Sequence, residues 1–300
     1  MMHRAPRWLR RPFSPDGMAR EVKALIGELG LATVCESARC PNLRECYSQR
    51  QLTFMILGEV CTRRCRFCAV DHGRPRPVAA DEPWRLAEAV HRLGLQHVVI
   101  TSVARDDLLD EGAGHFVAVI QAVRERNPGL TVEILTPDFH AREALVRRVV
   151  LDGRPEVFAH NLETVERLSP VLRPQAAYRR SLRTLAQAAA LRAGCLIKSS
   201  LMVGLGETDD EVAAAFNDLL DAGVTHLTIG QYLRPDPDHL PVLEYISPER
   251  FDHLAARAAD AGFAWVRSGA FVRSSYHAID ALHPKAAASE QGGKLLSCVP

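Results

Sequence analysis

From residue 52 onward, short runs rich in apolar and β-branched residues recur at 53–58, 97–102, 131–135, 156–161, 196–203 and 226–233, with a shorter run at 265–269. Between most of them lie segments whose apolar residues repeat with the period of a helix. Leu86, Ala89, Val90 and Leu93 make one stripe, and Phe116, Val119, Ile120 and Val123 a second. Val212, Ala215, Phe216 and Leu219 make a third, introduced by Thr208 and Glu211 at capping-box spacing. The crossover at 141–151 is thinner, with Leu145 and Val149 placed for burial. Such alternation constrains the fold severely. Parallel strands must be joined by a crossover that packs back on the sheet, and that crossover is right-handed. Six strand–helix units fall short of the eight that close a β/α barrel.

Polar residues gather where these strands run out: Cys61 to Cys68 after the first, Thr101-Ser102 at the second and Glu133 within the third. His160-Asn161 and Glu163 follow the fourth, Lys198 and Gly204-Leu-Gly206-Glu207 belong to the fifth, and Gln231-Tyr232 to the sixth. In β/α barrels the carboxyl rim is where active sites are built.

The first of these groups, Cys61-Thr-Arg-Arg-Cys65-Arg-Phe-Cys68, places three thiols within eight residues. Iron–sulfur clusters are held by thiolates at comparable spacings. A structural zinc site closes its tetrahedron with four Cys or His ligands, and the nearest fourth candidate, His72, lies in a proline-rich loop. A disulfide would leave one thiol over and suits a secreted chain better. A second triplet, Cys35, Cys40 and Cys46, has gaps of four and five residues and reads as a loop, broken by Pro41-Asn42. Six of the eight cysteines thus lie between Cys35 and Cys68, a clustering that suits metal binding in a reducing, cytoplasmic setting.

The formal charge of +1 gives no electrostatic footprint for nucleic acid or an anionic membrane, and no apolar run approaches a membrane span. The basic stretch from Met1 to Phe13 reads as a surface arm. Ser14-Pro15 should cap a helix whose stripe is Val22, Leu25, Ile26 and Leu29, ended by Gly30. From Pro284 the chain reads as a tail.

Thr53 to Cys68 as a whole resembles the radical S-adenosylmethionine signature, in the form seen in the lipoyl synthase family. Similar pieces follow in order: Val98 to Ser102, Arg105 to Leu108, Val132 to Phe139, His160 to Thr164, Gly204 to Thr208, Gly230 to Pro235 and His239 to Pro241. Together with Trp8-Leu9-Arg10 they cover roughly residues 8–280. The resemblance implies a partial (β/α)6 TIM-type barrel of parallel strands, with an N-terminal cluster-binding extension (1–50), a barrel (51–270) and a C-terminal closing segment (271–300). It implies two 4Fe-4S clusters. Cys61, Cys65 and Cys68 would hold the one whose open iron takes S-adenosylmethionine. Cys35, Cys40 and Cys46 would hold an auxiliary one, with Ser275 of Arg273-Ser-Ser-Tyr276 as fourth ligand.

Thr101, Ser102, Asn161, Glu163, Lys198 and Gln231 are the candidate contacts to S-adenosylmethionine. The implied reaction inserts two sulfur atoms into the octanoyl chain of a lipoyl carrier domain (the E2 component of a 2-oxoacid dehydrogenase or the glycine cleavage H protein). Two S-adenosylmethionine molecules and the auxiliary cluster would be consumed. A ferredoxin or flavodoxin would supply electrons, an iron–sulfur carrier would rebuild the cluster, and the arginines between Arg4 and Arg11 would help an acidic carrier domain dock. Ala104, Ser200 and Ala270 depart from the residues usual in the family (Asp or Asn, Gly, and Pro).

Overall fold

A computed structural model describes residues 6–9 and 17–282. The Ser14-Pro15 cap, most of the basic arm, Cys298 and the tail from Pro284 lie outside the described residues. Seven parallel strands follow the chain in order: β2 (Thr53–Ile56), β3 (His97–Ser102), β4 (Thr131–Leu135), β5 (Val157–Ala159), β6 (Leu196–Val203), β7 (His226–Gln231) and β8 (Trp265–Gly269). They are preceded by β1 (Ala32–Thr33), which runs antiparallel to β2. β8 does not pair with β2, so the barrel is open. The expected partial barrel of six strand–helix units is what the sheet shows, with β8 as a closing strand.

The helices on its outside are α4 (Glu82–Leu93), α5 (Ala113–Arg126), α6 (Glu143–Gly153), α8 (Tyr178–Ala190), α9 (Asp209–Asp221) and α10 (Pro248–Ala261), with the short α7 (Ser169–Leu172) inserted before α8. Each of the three stripes read from the sequence is buried against the sheet, and each large side chain so buried contributes roughly 1.5–3 kcal/mol. The Thr208–Glu211 capping box is formed. In α6 the buried residues are Val146, Val149 and Val150, while Leu145 stays half-exposed. The helix thus turns Val146 and Val150 inward beside Val149, in place of Leu145. Tyr178, Leu182, Leu185 and Ala188 bury the α8 face; their helical spacing was present in the sequence but interleaved with arginines.

Strands end earlier than the apolar runs because the backbone changes hand. Leu57 and Gly58, at φ 69° and 92°, turn the chain out of β2 toward the cysteine loop. Before the barrel, α1 (Gly17–Glu28) buries Val22, Leu25 and Ile26. The segment expected to be a loop instead holds two short helices, α2 (Val34–Ser37) and α3 (Leu43–Ser48), separated by the turn at 39–42. Thr33 nucleates α2 by accepting the Glu36 N–H, and the Pro41-Asn42 break falls between the helices. Trp8 ties the arm down through an indole N–H donated to the Ile246 carbonyl at 3.2 Å. Among the described residues no helix is long and apolar enough to cross a membrane.

Candidate active site

The chain leaves β2 into the loop carrying Cys61, Cys65 and Cys68, which is pinned from several sides. Cys61 N–H donates to the Asp71 carbonyl at 2.7 Å, and Arg66 N–H to the Leu172 carbonyl at 2.9 Å. Arg64 N–H donates to Gln175 Oε1 at 2.6 Å, and the His239 ring meets the Cys68 carbonyl at 3.0 Å. The Cys61 sulfur accepts two backbone N–H groups, from Arg63 at 3.4 Å and Ala104 at 3.3 Å. All three cysteines line a cleft of about 200 Å³ at the carboxyl ends of β2 to β5, shared with Phe67, Thr101, Ser102, Asn161, Glu163 and Arg173.

Burial pushes the Cys65 thiol up to about 11 and Cys68 to about 12. Both are therefore neutral near pH 7 unless a metal ion draws the proton off. Neither cysteine triplet brings its three sulfurs within 4.8 Å of one another. A single tetrahedral zinc with bonds of about 2.3 Å would need them about 3.8 Å apart. Neither triplet is thus set for a single tetrahedral ion among the described residues.

The cleft also holds unmet hydrogen-bonding capacity. Ser102 Oγ and Asn161 Oδ1 are buried without a partner, a cost a polar ligand would remove. Asn161 donates its amide to Glu163 Oε1 at 3.0 Å, and Glu163 is held at φ 70°, a strained backbone for a non-glycine residue. Burial pushes the Glu163 carboxyl up, and Arg173 pulls it back. Arg173 is a functional candidate that sequence reasoning missed. It is buried, donates Nη1 to the Leu162 carbonyl and to Ser181 Oγ, and lies within ion-pair distance of no carboxylate among the described residues. Nothing in the pattern Pro170-Val-Leu-Arg173-Pro174 marks it. Thr101 lines the cleft but spends its hydroxyl on the Leu135 carbonyl at 2.9 Å.

Two expected contacts are not brought to the cleft. Lys198 is 1% exposed and its Nζ lies 2.9 and 3.1 Å from the two oxygens of Glu133. Lys198 on β6 meets both Glu133 on β4 and the Trp265 ring on β8, strands on either side of it, so it faces the barrel interior. Gln231 gives its amide N–H groups to the Val203, Tyr232 and Glu244 carbonyls and accepts the Ile246 N–H. It braces the chain after β7, packed where any side chain at Gly204 would collide with it.

The second triplet lies along the open seam between β1–β2 and β8. Cys35 is buried in α2, where the Thr53 N–H reaches its thiol, and burial pushes it up to about 11. The Thr53 hydroxyl donates to Ser275 Oγ at 2.8 Å. Beside it, Asn42 donates to the Phe271 carbonyl at 2.6 Å and the Tyr276 hydroxyl to Glu45 at 2.8 Å. Gly230 permits this approach, because a Cβ there would strike the Val272 carbonyl. Segments more than 220 residues apart thus meet around Cys35, Cys40, Cys46 and Ser275.

Residues 55–231 match the family model of the radical SAM superfamily. The chain is 52% identical over 278 residues to a lipoyl synthase of Rubrobacter xylanophilus, covering 92% of this chain and 86% of that one. It is 53% identical over 275 residues to a lipoyl synthase of Methylococcus capsulatus, covering 92% and 85%. Among solved structures, the FeFe-hydrogenase maturase HydG from Carboxydothermus hydrogenoformans shares the fold, with a TM-score of 0.53, 12% identity, and 89% and 78% of the two chains covered.

Proposed function

Because the chain belongs to the lipoyl synthase family, within the radical S-adenosylmethionine superfamily, we propose that it inserts two sulfur atoms into the octanoyl chain of an octanoyl-lysyl carrier domain. Each turnover would consume two S-adenosylmethionine molecules. The sulfur-donating cluster is then a substrate, held by Cys35, Cys40, Cys46 and Ser275. The observation that carries this reading is the meeting of the Ser275 turn with the Cys35–Cys46 segment through Thr53, Asn42 and Glu45. A serine oxygen is a hard donor beside soft thiolates, which suits a cluster meant to come apart.

At the cleft, Cys61, Cys65 and Cys68 would hold a four-iron cluster with one iron open. With S-adenosylmethionine bound, that group would supply the one-electron chemistry needed to remove hydrogen from an unactivated carbon. The chain's own part is placement and dryness. The open face of the Arg173 guanidinium is suited to a carboxylate. Ser102 Oγ is placed to meet an ammonium group, and Asn161 with Glu163 to meet ribose hydroxyls. Phe67, packed with Leu172, Leu205 and Tyr232, keeps water from the cysteine loop. The division proposed with it is 1–50 for the extension, 51–270 for the barrel and 271–300 for the closing segment. The same reading implies a cytoplasmic enzyme served by a ferredoxin or flavodoxin and by an iron–sulfur carrier.

The test is a pair of variants in anaerobically iron-loaded protein, which should carry about eight irons in the wild type. Cys68→Ala should lose cleavage of S-adenosylmethionine altogether. Cys40→Ala should cleave it yet leave an octanoylated carrier peptide without sulfur by mass spectrometry. Equal loss of both activities in the two variants, or zinc in place of iron, would overturn the proposal.

A further inference from the structure

Arg63 sits inside the cysteine loop, between Cys61 and Cys65, and its side chain is 5% exposed. Its guanidinium reaches both oxygens of Asp106 at 2.8 Å and Asp138 Oδ1 at 2.8 Å. Asp106 lies in the loop after β3 and Asp138 in the loop after β4. The arginine therefore ties the cysteine loop to the next two strand ends.

Asp138 is itself held with care. It is fully buried, Arg180 takes its other oxygen at 2.7 Å, and Thr184 takes its carbonyl at 2.8 Å. Phe139, His140 and Ala141 follow it at φ 43°, 48° and 52°. Three successive non-glycine residues in the left-handed region persist only where the surroundings over-determine them, and this turn is what brings the Asp138 carboxylate under the cysteine loop. On the other side, the Asp106 N–H donates to Thr62 Oγ1 at 3.1 Å, and Thr62 donates N–H and hydroxyl to the Ala104 carbonyl. The same stitching delivers the Arg63 and Ala104 N–H groups to the Cys61 sulfur.

Arg63 and Arg173 line the same cleft, but they differ in what remains open. Arg173 forms no ion pair among the described residues, whereas Nε and Nη2 of Arg63 are both engaged by carboxylates. We infer that Arg63 is a positioning residue for the metal centre: clamped between Asp106 and Asp138, it fixes the cysteine loop so that two N–H groups point at the Cys61 sulfur, and it thereby sets the reduction potential of the cluster. Hydrogen bonds to cluster sulfurs and nearby positive charge both favour the reduced form. The inference rests on the reading that Cys61, Cys65 and Cys68 hold that cluster.

The experiment compares Arg63→Gln with the conservative Arg63→Lys, both in a Cys40→Ala background that leaves one cluster to observe. Iron is counted, the midpoint potential is followed by electron paramagnetic resonance, and the Michaelis constant and rate of S-adenosylmethionine cleavage are measured. Arg63→Gln should hold iron at a more negative potential and cleave about tenfold more slowly, with the Michaelis constant unchanged. Arg63→Lys should recover most of the potential. Should Arg63→Gln fail to fold or load, Asp106→Glu, which displaces one side of the clamp without changing the charge, should show a negative shift of the same sign. A loaded variant with the wild-type potential overturns the inference, as does a raised Michaelis constant at constant potential, which would make Arg63 a ligand contact. If the Cys40→Ala background holds no cluster at all, the assignment of Cys61, Cys65 and Cys68 fails instead.

Discussion

Inside the barrel, charge is buried at two depths. Toward the amino ends of the strands, Lys198 lies against both oxygens of Glu133, beneath the Trp265 ring whose other neighbours are His226 and Arg267. Arg267 in turn pairs with Asp280 at 2.8 Å. Toward the carboxyl ends, Ser102 Oγ and Asn161 Oδ1 have no partner, Glu163 is strained, and Arg173 acts on Glu163 across a distance without forming an ion pair among the described residues. The lower layer pairs its charges within the chain, with Trp265 Nε1 left over; the upper one leaves Ser102 Oγ, Asn161 Oδ1 and Arg173 open beside the paired Arg63 and Asp138. Native structures tolerate buried unsatisfied groups where something else completes them, so the upper layer is where a ligand belongs. The lower layer is a plug that holds seven strands at a fixed spacing.

The sharpest way to break that contrast is to remove one member of the plug. Lys198→Met leaves Glu133 buried and alone, and losing one partner of a buried pair costs about 3–5 kcal/mol. Urea unfolding should show this loss, while the surviving folded fraction binds S-adenosylmethionine with unchanged affinity. Lys198→Met with Glu133→Leu should recover much of the stability, because an apolar pair of similar volume needs no desolvation offset. A weakened S-adenosylmethionine affinity at full stability would return Lys198 to the ligand site.

A smaller effect comes from two histidines, one at each depth. Burial holds His160 down at about 4, helped by the Arg173 charge, and holds His226 down at about 4, helped by Lys198. Both are then neutral in the folded chain, while in the unfolded chain they titrate near 6.5. The unfolded state binds more protons between those values, so stability is fully present above about pH 6.5 and is lost as the pH falls toward 4. The loss is of order 3 kcal/mol per histidine. The Glu133 carboxyl, pushed up by burial, works in the opposite sense. His226→Asn should therefore flatten the acid limb of the urea midpoint against pH. An unchanged slope in that variant would mean that His226 is not held neutral.

The same two depths explain what was legible in the chain. Strand order and helix faces were readable because apolar period reports on burial, and burial dominates the outside of the barrel. The cysteine loop was readable because three thiols in eight residues have few structural explanations. Depth was not readable. Lys198 and Glu163 both fall on strands or at their ends, and only the register of β6 against β4 across the interior separates a plug residue from a cleft residue. Gln231 likewise looks like a rim ligand until the Glu244–Ile246 segment folds back and uses all its hydrogen bonds. Arg173 and Asp138 were missed for a related reason: their positions depend on a short inserted helix and a left-handed turn, neither of which leaves a periodic trace.

Arg173 gives the finest test of the comparison. Its Nη1 already serves the Leu162 carbonyl and Ser181 Oγ, which by itself would make it one more internally satisfied charge. A guanidinium carries five N–H donors in a planar fork, however, and one nitrogen cannot use them. The rest face a cleft where no carboxylate of the described chain comes within ion-pair distance. Replacing it with glutamine keeps a donor for the Leu162 carbonyl but removes the charge and the fork. Arg173→Gln should therefore weaken S-adenosylmethionine binding about tenfold, ~1.4 kcal/mol, and shift the urea midpoint little. Arg173→Lys keeps the charge without the two-point geometry and should recover only part of the affinity. Were calorimetry to show unchanged S-adenosylmethionine binding in Arg173→Gln with a large drop in stability, Arg173 would belong with Lys198 as part of the frame, and the open upper layer would shrink to Ser102, Asn161 and Glu163.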